Sequence, residues 1–399
     1  MSPAPQRTAA AERELVAAAV AAAARRLAGS QDDAQVRAVL YDEGLAWVDF
    51  PAGWGGLGVS AGLRAFAAEA LAAAGVPVPD PHANAIGMGM AAPTIVEYGT
   101  DEQKALLARI YTLETIFCQL FSEPGAGSDL AAVATRAVRS GDEWTVNGQK
   151  VWTSGAQNAD MAILVARTDP TVPKHRGLSY FLIDMHQPGV ETRGLRQITG
   201  ESEFNEVFLT DARVPDAMRL GPEGAGWQVA NTTLNSERVS IGGGAAREAG
   251  MIGVVAAAWR AHPEYRSPAA RAELMDLWIE SEVARLAGEL QRQQAAAGRP
   301  GPEGSGAKIS FARNAQALSA LDVRMRGAAG LRYDDWADRR PEHYSMTGRN
   351  PVYRYLRAKG NSIEGGTTEI IRNIIAERVL GLPGEHRVDK DIPFEDLPR

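Results

Sequence analysis

Two short segments carry residue types that could do chemistry. The first is Ser122-Glu123-Pro124-Gly125-Ala126-Gly127-Ser128-Asp129. Two glycines and a proline fix an irregular turn whose backbone can approach a ligand closely, and Ser122 and Ser128 add hydroxyls. The second is Gly148-Gln149-Lys150-Val151-Trp152-Thr153-Ser154-Gly155, which puts a tryptophan and two hydroxyls at the end of an expected strand. A flat heteroaromatic ring needs such neighbours: an aromatic face or edge, and small donors for its heteroatoms. Taken singly, each segment also has a plain reading, a tight surface turn for the first and a core tryptophan in a hairpin for the second.

Composition narrows the classes. The chain has 399 residues, 45% hydrophobic and 23% charged, a length for two or three packing units. Its 49 acidic against 42 basic residues give a formal charge of -7, which argues against nucleic acid as the main partner. Cys118 is the only cysteine, so an intrachain disulfide and a thiolate metal cage are excluded, and a reducing cytoplasm is the expected location. None of the six histidines has HExxH-like spacing, so no histidine metal site is expected. Glu12, Arg13, Glu14, Arg25 and Arg26 interrupt the alanine-rich start. With no apolar stretch of spanning length and no signal-peptide layout, a soluble protein without membrane insertion is expected.

The elements that must position the two segments fall into three regions. Residues 1–115 read as helical: Leu15, Val16, Val20 and Leu27 recur at helical spacing up to Gly29-Ser30. Leu63, Phe66, Ala70 and Leu71 make a second stripe, stopped by Gly75, and Thr100 with Gln103 forms a capping-box pattern opening a third helix. Residues 116–218 read as strands, with Asn147-Gly148 as a hairpin turn joining 143–146 to 150–153. Runs at 161–166, 178–183 and 206–209 have β-favouring content, and Pro215 and Gly221 mark the exit. Helices return over 219–399. Leu274, Leu277, Trp278, Leu286 and Leu290 define one amphipathic face, and 298–306 is a loop between two helices. Helix, strand and helix blocks in that order imply an α+β fold.

Together the two segments, with the spacing between them, resemble the middle domain of the acyl-CoA dehydrogenase family, almost without gaps over 117–169. Trp54-Gly55-Gly56-Leu57-Gly58, Ala212-Arg213-Val214-Pro215 and the stretch EGGTTEIIRNIIAERVLGLP at 364–383 extend the resemblance over nearly the whole chain. It implies an N-terminal helical domain, a central β-barrel-like domain and a C-terminal four-helix bundle, with FAD bound between the last two. It also implies dehydrogenation of an acyl-CoA to the 2-enoyl-CoA and transfer of electrons to an electron-transfer flavoprotein. The assembly implied is a homodimer, homotetramer or heterotetramer. Carried over by position, Gln119, Phe121, Ser122 and Ser128 line the flavin and the acyl-CoA path. Trp152, Thr153 and Ser154 sit against the flavin ring, with Ser154 near its reactive nitrogen, while Thr367 and Glu369 fall at the nucleotide end of FAD.

The implied reaction needs a base for the α-proton, and a glutamate in a dry pocket suits it. The family's usual glutamate position holds Gly365 here, with Glu364 one residue earlier. One residue turns a side chain by about 100° on a helix, so Glu364 could serve only through a rearranged loop. Glu237 matches the alternative base position used by a subset of the family, on a helix followed by Gly242-Gly243-Gly244. Those glycines cost ~1 kcal/mol each inside a helix relative to alanine, which close approach of a ligand or helix would explain. Its plain reading is an ion pair with Arg238 or Arg247 on a solvated face; Glu237 is preferred as the base.

The chain also departs from the family where relatives contact the FAD pyrophosphate. His262 to Ser267 and Val323 to Gly330 lack the usual Arg-x-x-Phe-Gly segment and the paired glycines, leaving Arg266, Arg324 or a different partner chain to hold the phosphates. Two alternatives therefore stand beside the dehydrogenase: a non-catalytic structural subunit of a mixed assembly, and a flavin oxidase or monooxygenase on the same scaffold. The altered base motif disfavours a plain straight-chain acyl group and leaves branched, cyclic or steroid-derived chains.

Overall fold

The computed structural model describes residues 7–242, 250–296, 304–333, 335–341 and 346–398. Six helices come first: α1 (Ala9–Leu27), α2 (Asp33–Asp42), α3 (Arg64–Ala73), α4 (Ala92–Tyr98), α5 (Asp101–Lys104) and α6 (Leu106–Tyr111). In α1, Thr8 accepts from the Ala11 amide at the N-cap, and Val16, Ala19, Val20, Ala23 and Leu27 form the buried stripe. The helix stops one residue before the expected glycine, because Ala28 itself takes the left-handed conformation at φ 48°. Thr100 and Gln103 make both bonds of the expected capping box.

Seven strands follow: β1 (Phe117–Leu120), β2 (Arg136–Ser140), β3 (Glu143–Ser154), β4 (Met161–Arg167), β5 (Leu178–Asp184), β6 (Val190–Leu195) and β7 (Phe204–Pro215). They form one mixed, curled sheet in the order β1-β4-β2-β3-β7-β6, with β5 also paired to β4. Strand β4 is buried on both faces. Ile163 and Val165 join the core shared with the N-terminal helices, while Ala162, Leu164 and Ala166 point into a second core with Trp144, Phe181 and Val207. The C-terminal region supplies α7 (Gly226–Gly242), α8 (Met251–Ala261), α9 (Pro268–Ala296), α10 (Gly304–Met325), α11 (Pro351–Arg357) and α12 (Thr368–Arg378). No helix among the described residues is long and apolar enough to cross a membrane.

Three sequence expectations are corrected. Asn147-Gly148 is not a hairpin turn: β3 runs straight through it, and the reversal occurs at Gly141, φ 63°, between β2 and β3. The register of β3 against β7 shifts between Val146 and Gly148, so the pair sits at a bulge. Gly148 is required by close approach, since a Cβ there would lie 2.4 Å from Thr135 Oγ1. Secondly, the α9 residues do not share one buried face. Leu274 is buried and Leu277 and Trp278 pack against the core, but Leu286 and Leu290 point outward with Ile279 and Val283. Finally, α10 begins at Gly304, so Gly304 to Gly306 belong to its first turn and not to the loop; residues 297–303 lie outside the described residues.

The exit from β7 is fastened by Asp216, whose carboxylate accepts from Arg219 Nε and Trp144 Nε1, both at 2.8 Å. The Arg219 and Trp144 bonds hold this carboxyl at about 2. A folded value below the unfolded one of ~3.9 contributes stability that is complete above ~4 and lost as pH falls through the folded value. Urea unfolding of wild type and Asp216→Asn is therefore expected to differ at neutral pH and to converge toward pH ~2. A gap that stays constant down to that pH would mean the carboxylate's charge is not what fastens the exit.

Candidate active site

The end of β3 is shaped to hold an indole outward. A second register shift between β3 and β7 falls between Lys150 and Thr153, and Trp152 lies inside it at φ 62°. A bulky residue with positive φ is a strained outlier, of order 1–3 kcal/mol, and such strain clusters at functional sites. Trp152 is 60% exposed, and its ring meets Phe204 edge-on with centroids 5.9 Å apart. Next to it Thr153 is buried, and its Oγ1 has no hydrogen-bond partner. A buried hydroxyl left unpaired costs free energy unless a ligand completes it.

The turn after β1 is fixed at its base by a buried ion pair. Lys150 Nζ donates to Phe121 O, Val165 O and Glu123 Oε1 at 2.8–2.9 Å. Glu123 also accepts from the Ala134 and Thr135 amides. Burial pushes this carboxyl up, but Lys150 and these bonds outweigh it, so Glu123 is held below the usual carboxylate range. Phe121 is buried with its ring edge-on to Tyr180, 5.8 Å between centroids, and Gln119 stands on β1 paired with Ile163 of β4. Ser122 is half-buried and its carbonyl accepts from the Val151 amide, which joins the turn to the Trp152 segment. Ser128 is exposed.

Glu237 lies on α7, as expected, one turn beyond Thr233 and so on nearly the same face. Thr233 is fully buried, bonded to Thr94 of α4 and to Tyr180 of β5 at 2.9 Å each. That face of α7 therefore looks into the junction of the helical and β regions. The side chains of Arg238 and of 239–249 lie outside the described residues, including Arg247 and the triple glycine.

Glu364 is held differently. Gly365 and Gly366 both take positive φ, 62° and 89°, in the turn that follows Glu364. Arg357 meets Glu364 with both terminal nitrogens, at 3.1 and 3.0 Å, and Asn361 Nδ2 donates to it at 2.5 Å. Arg357 also pairs with Glu203 at 2.7 Å and lies 5.3 Å over the Phe204 ring that touches Trp152. Thr367 is the N-cap of α12, accepting from the Ile370 amide, and Glu369 is exposed in the first turn.

Lys308, which sequence reasoning missed, anchors the glycine turn after Glu364. Only 2% exposed, it donates to Gly366 O at 2.6 Å. Burial pulls its proton affinity down, while the fields of Glu364, Glu237 and Glu369 act in the opposite sense. A signal existed. Ser305, Lys308, Ala312, Ala315, Ser319 and Asp322 follow helical spacing and are all buried, so a lysine on the α10 core face marks a buried polar site. The arginines considered for the phosphates are both engaged: Arg266 caps α8 through Trp259 O and Arg260 O, and Arg324 pairs with Glu273.

Three family descriptions match in order along the chain: acyl-CoA dehydrogenase, N-terminal domain over 3–114, middle domain over 118–212 and C-terminal domain over 224–380. The chain belongs to the acyl-CoA dehydrogenase family. Among curated acyl-CoA dehydrogenases, IpdE1 of Mycobacterium tuberculosis is 37% identical over 349 residues, 86% of each chain. FadE34 of the same organism is 39% identical over 91% of this chain, which spans 48% of the length of FadE34. The solved Tcur3481-Tcur3483 steroid ACAD superposes with a TM-score of 0.72 at 28% identity, covering 95% of this chain and 99% of that one. The ChsE4-ChsE5 complex from Mycobacterium tuberculosis gives 0.68 at 28%, covering 96% and 100%. An acyl-CoA dehydrogenase is an oxidoreductase of a flavin-dependent family. In this one Trp152, the Gly365-Gly366 turn and Glu364 are linked through Phe204, Arg357 and Lys308.

Proposed function

We propose that this chain removes two hydrogens from the α and β carbons of an acyl-CoA, with Glu237 as the base. The observation that supports it most is an outward indole on a strained bulge, joined through Phe204 and Arg357 to the Glu364 turn. The residues present fit the ring end of FAD: Trp152 offers an aromatic edge or face, Thr153 an unpaired buried hydroxyl and Ser154 a half-buried hydroxyl. Thr367 and Glu369 would stand at its nucleotide end, with Gln119, Phe121 and Ser122 along the ring path and Ser128 on the thioester side. When bound, FAD supplies the acceptor for the hydride that leaves the β-carbon.

The remaining steps belong to the chain. A base must lie within reach of the proton it takes. Glu364 has both oxygens engaged by Arg357 and Asn361, so it would have to give up charge-assisted contacts to take a proton. Glu237 sits on the α7 face that looks toward Tyr180, and takes the α-proton in this reading. Glu364 and Lys308 shape the glycine turn beside it. Electrons leave for a flavoprotein carrier, and the protein works in the cytoplasm. A steroid-derived acyl chain is the preferred substrate class, given the likeness to the steroid ACAD.

A mixed assembly is the second reading, with this chain as one of two unlike subunits. It is favoured by the engaged Arg266 and Arg324 and by the likeness to the ChsE4-ChsE5 complex. Ile279, Val283, Leu286 and Leu290 are 53–60% exposed at spacings of four, three and four, a seam that another helix would cover in a homo- or hetero-oligomer. The test is spectroscopic. The purified protein should be yellow, and a panel of straight, branched and steroid-derived acyl-CoAs should bleach it anaerobically. A colourless protein that gains colour only with a partner chain would move the cofactor to a shared site. Colour that no acyl-CoA bleaches would end the dehydrogenase reading.

A further inference from the structure

Beyond α12 the chain crosses solvent-exposed residues 379–388 and then lands on the β region. The landing is specific. The Phe394 and Glu395 amides donate to Val172 O and Pro170 O, each at 3.0 Å, and Pro393 bridges to Pro173. Two buried cations lie beneath. Lys174, 7% exposed, places Nζ between Asp389 Oδ2 at 2.5 Å and Asp129 Oδ2 at 2.6 Å. Arg167, 2% exposed, donates to Ala131 O at 2.6 Å and Val133 O at 3.0–3.1 Å, and carries the Phe394 ring 3.6 Å from its central carbon.

Asp129 is the last residue of the glycine turn, and 131–133 is the chain leaving it. Within the turn, a Cβ on Gly125 or Gly127 would meet nothing within 4 Å, so no packing at the glycines holds the loop. Its shape is set at the ends: Glu123 is locked by Lys150 at one end, and Asp129 by Lys174 at the other. The first lock is buried, whereas the second is completed by Asp389, and Phe394 roofs the neighbouring Arg167, which holds the Ala131 and Val133 carbonyls.

We propose that residues 389–396 form a strap that fixes the exit of the 122–129 turn and thereby sets the affinity for the CoA thioester; this rests on the reading of that turn as part of the acyl-CoA path. Asp389 and Phe394 are then positioning residues that touch no reacting atom. Ordering a ligand loop before binding removes that entropy cost from the binding step, so loosening the strap weakens binding and leaves the chemical step alone.

The test uses the full chain with Asp389→Ala/Phe394→Ala, and Asp389→Glu as the conservative control. Amide hydrogen exchange should speed up by about tenfold or more over 127–133 and stay unchanged in β4 and β5. The dissociation constant for free coenzyme A, by calorimetry, and KM should each rise by about tenfold, with kcat within about twofold. Asp389→Glu should restore both. Unchanged exchange at 127–133 would show that the strap does not position the turn, which overturns the proposal directly. Faster exchange with unchanged coenzyme A affinity would overturn it through its premise, because the loosened turn would then hold no ligand. Should the double variant fail to fold, Asp389→Asn, which keeps the shape and removes the charge, gives the same readouts.

Discussion

Replacing Glu237 by glutamine is expected to lower kcat by ~10²-fold or more, the scale of a positioned general base, with the protein still yellow. Glutamine keeps the shape and polarity of the side chain but has no oxygen that can take a proton at neutral pH. Glu364→Gln separates the two candidates. It removes one partner of Arg357, which still keeps Glu203, so a smaller loss of activity and a modest loss of stability are expected. Anaerobic single-turnover bleaching measures the chemical step free of carrier reoxidation. Near-normal bleaching in Glu237→Gln together with collapse in Glu364→Gln would exchange the assignments, and Arg357 would then have to release its carboxylate during turnover.

The largest stability effect is expected at Lys150→Met. Lys150 is fully buried, and its three contacts reach two backbone carbonyls and the Glu123 carboxylate. Removing it leaves a carboxylate with a 9% exposed side chain and without its paired cation, which costs ~3–5 kcal/mol. The pH dependence identifies the cause. In the wild type the folded Glu123 value lies below the unfolded one, so its contribution is present at neutral pH and lost as pH falls through the folded value. In the variant burial acts without Lys150, the folded value rises above the unfolded one, and protonation relieves the penalty as pH falls. The gap between wild type and variant should therefore narrow from pH 7 toward pH ~4 in denaturant titrations. A constant gap would assign the cost to the lost carbonyl bonds. Lys150→Met/Glu123→Gln should recover part of the loss, since no unpaired charge remains.

How much of this was legible in the sequence depended on the range of the interaction. Local patterns sufficed for the capping box at Thr100 and Gln103, the buried stripe of α1 and strands β4 and β5, because hydrogen bonding and burial periodicity act over a few residues. The family, too, was legible from the motifs at 122–129, 148–155 and 364–383, which the family matches span. Asn147-Gly148 misled because the same dipeptide serves a hairpin and a bulge. The nearness of Thr135, thirteen residues before Gly148 and unseen by local propensity, decided for the bulge.

By itself, then, the sequence determined the helix–strand–helix order, the family and a short set of carboxylates. Tertiary structure decided how the Glu364 turn is anchored, since Arg357, a near neighbour of Glu364 in the chain, also pairs with Glu203, 154 residues away. It also decided that Trp152 points outward on a strained bulge, that Lys308 holds the Gly366 carbonyl, and that residues 389–396 return to the glycine turn. The physical reason is common to all of these. Charges and close contacts act through space over a few ångströms, while their partners lie tens to hundreds of residues apart along the chain, up to the 215 between Lys174 and Asp389.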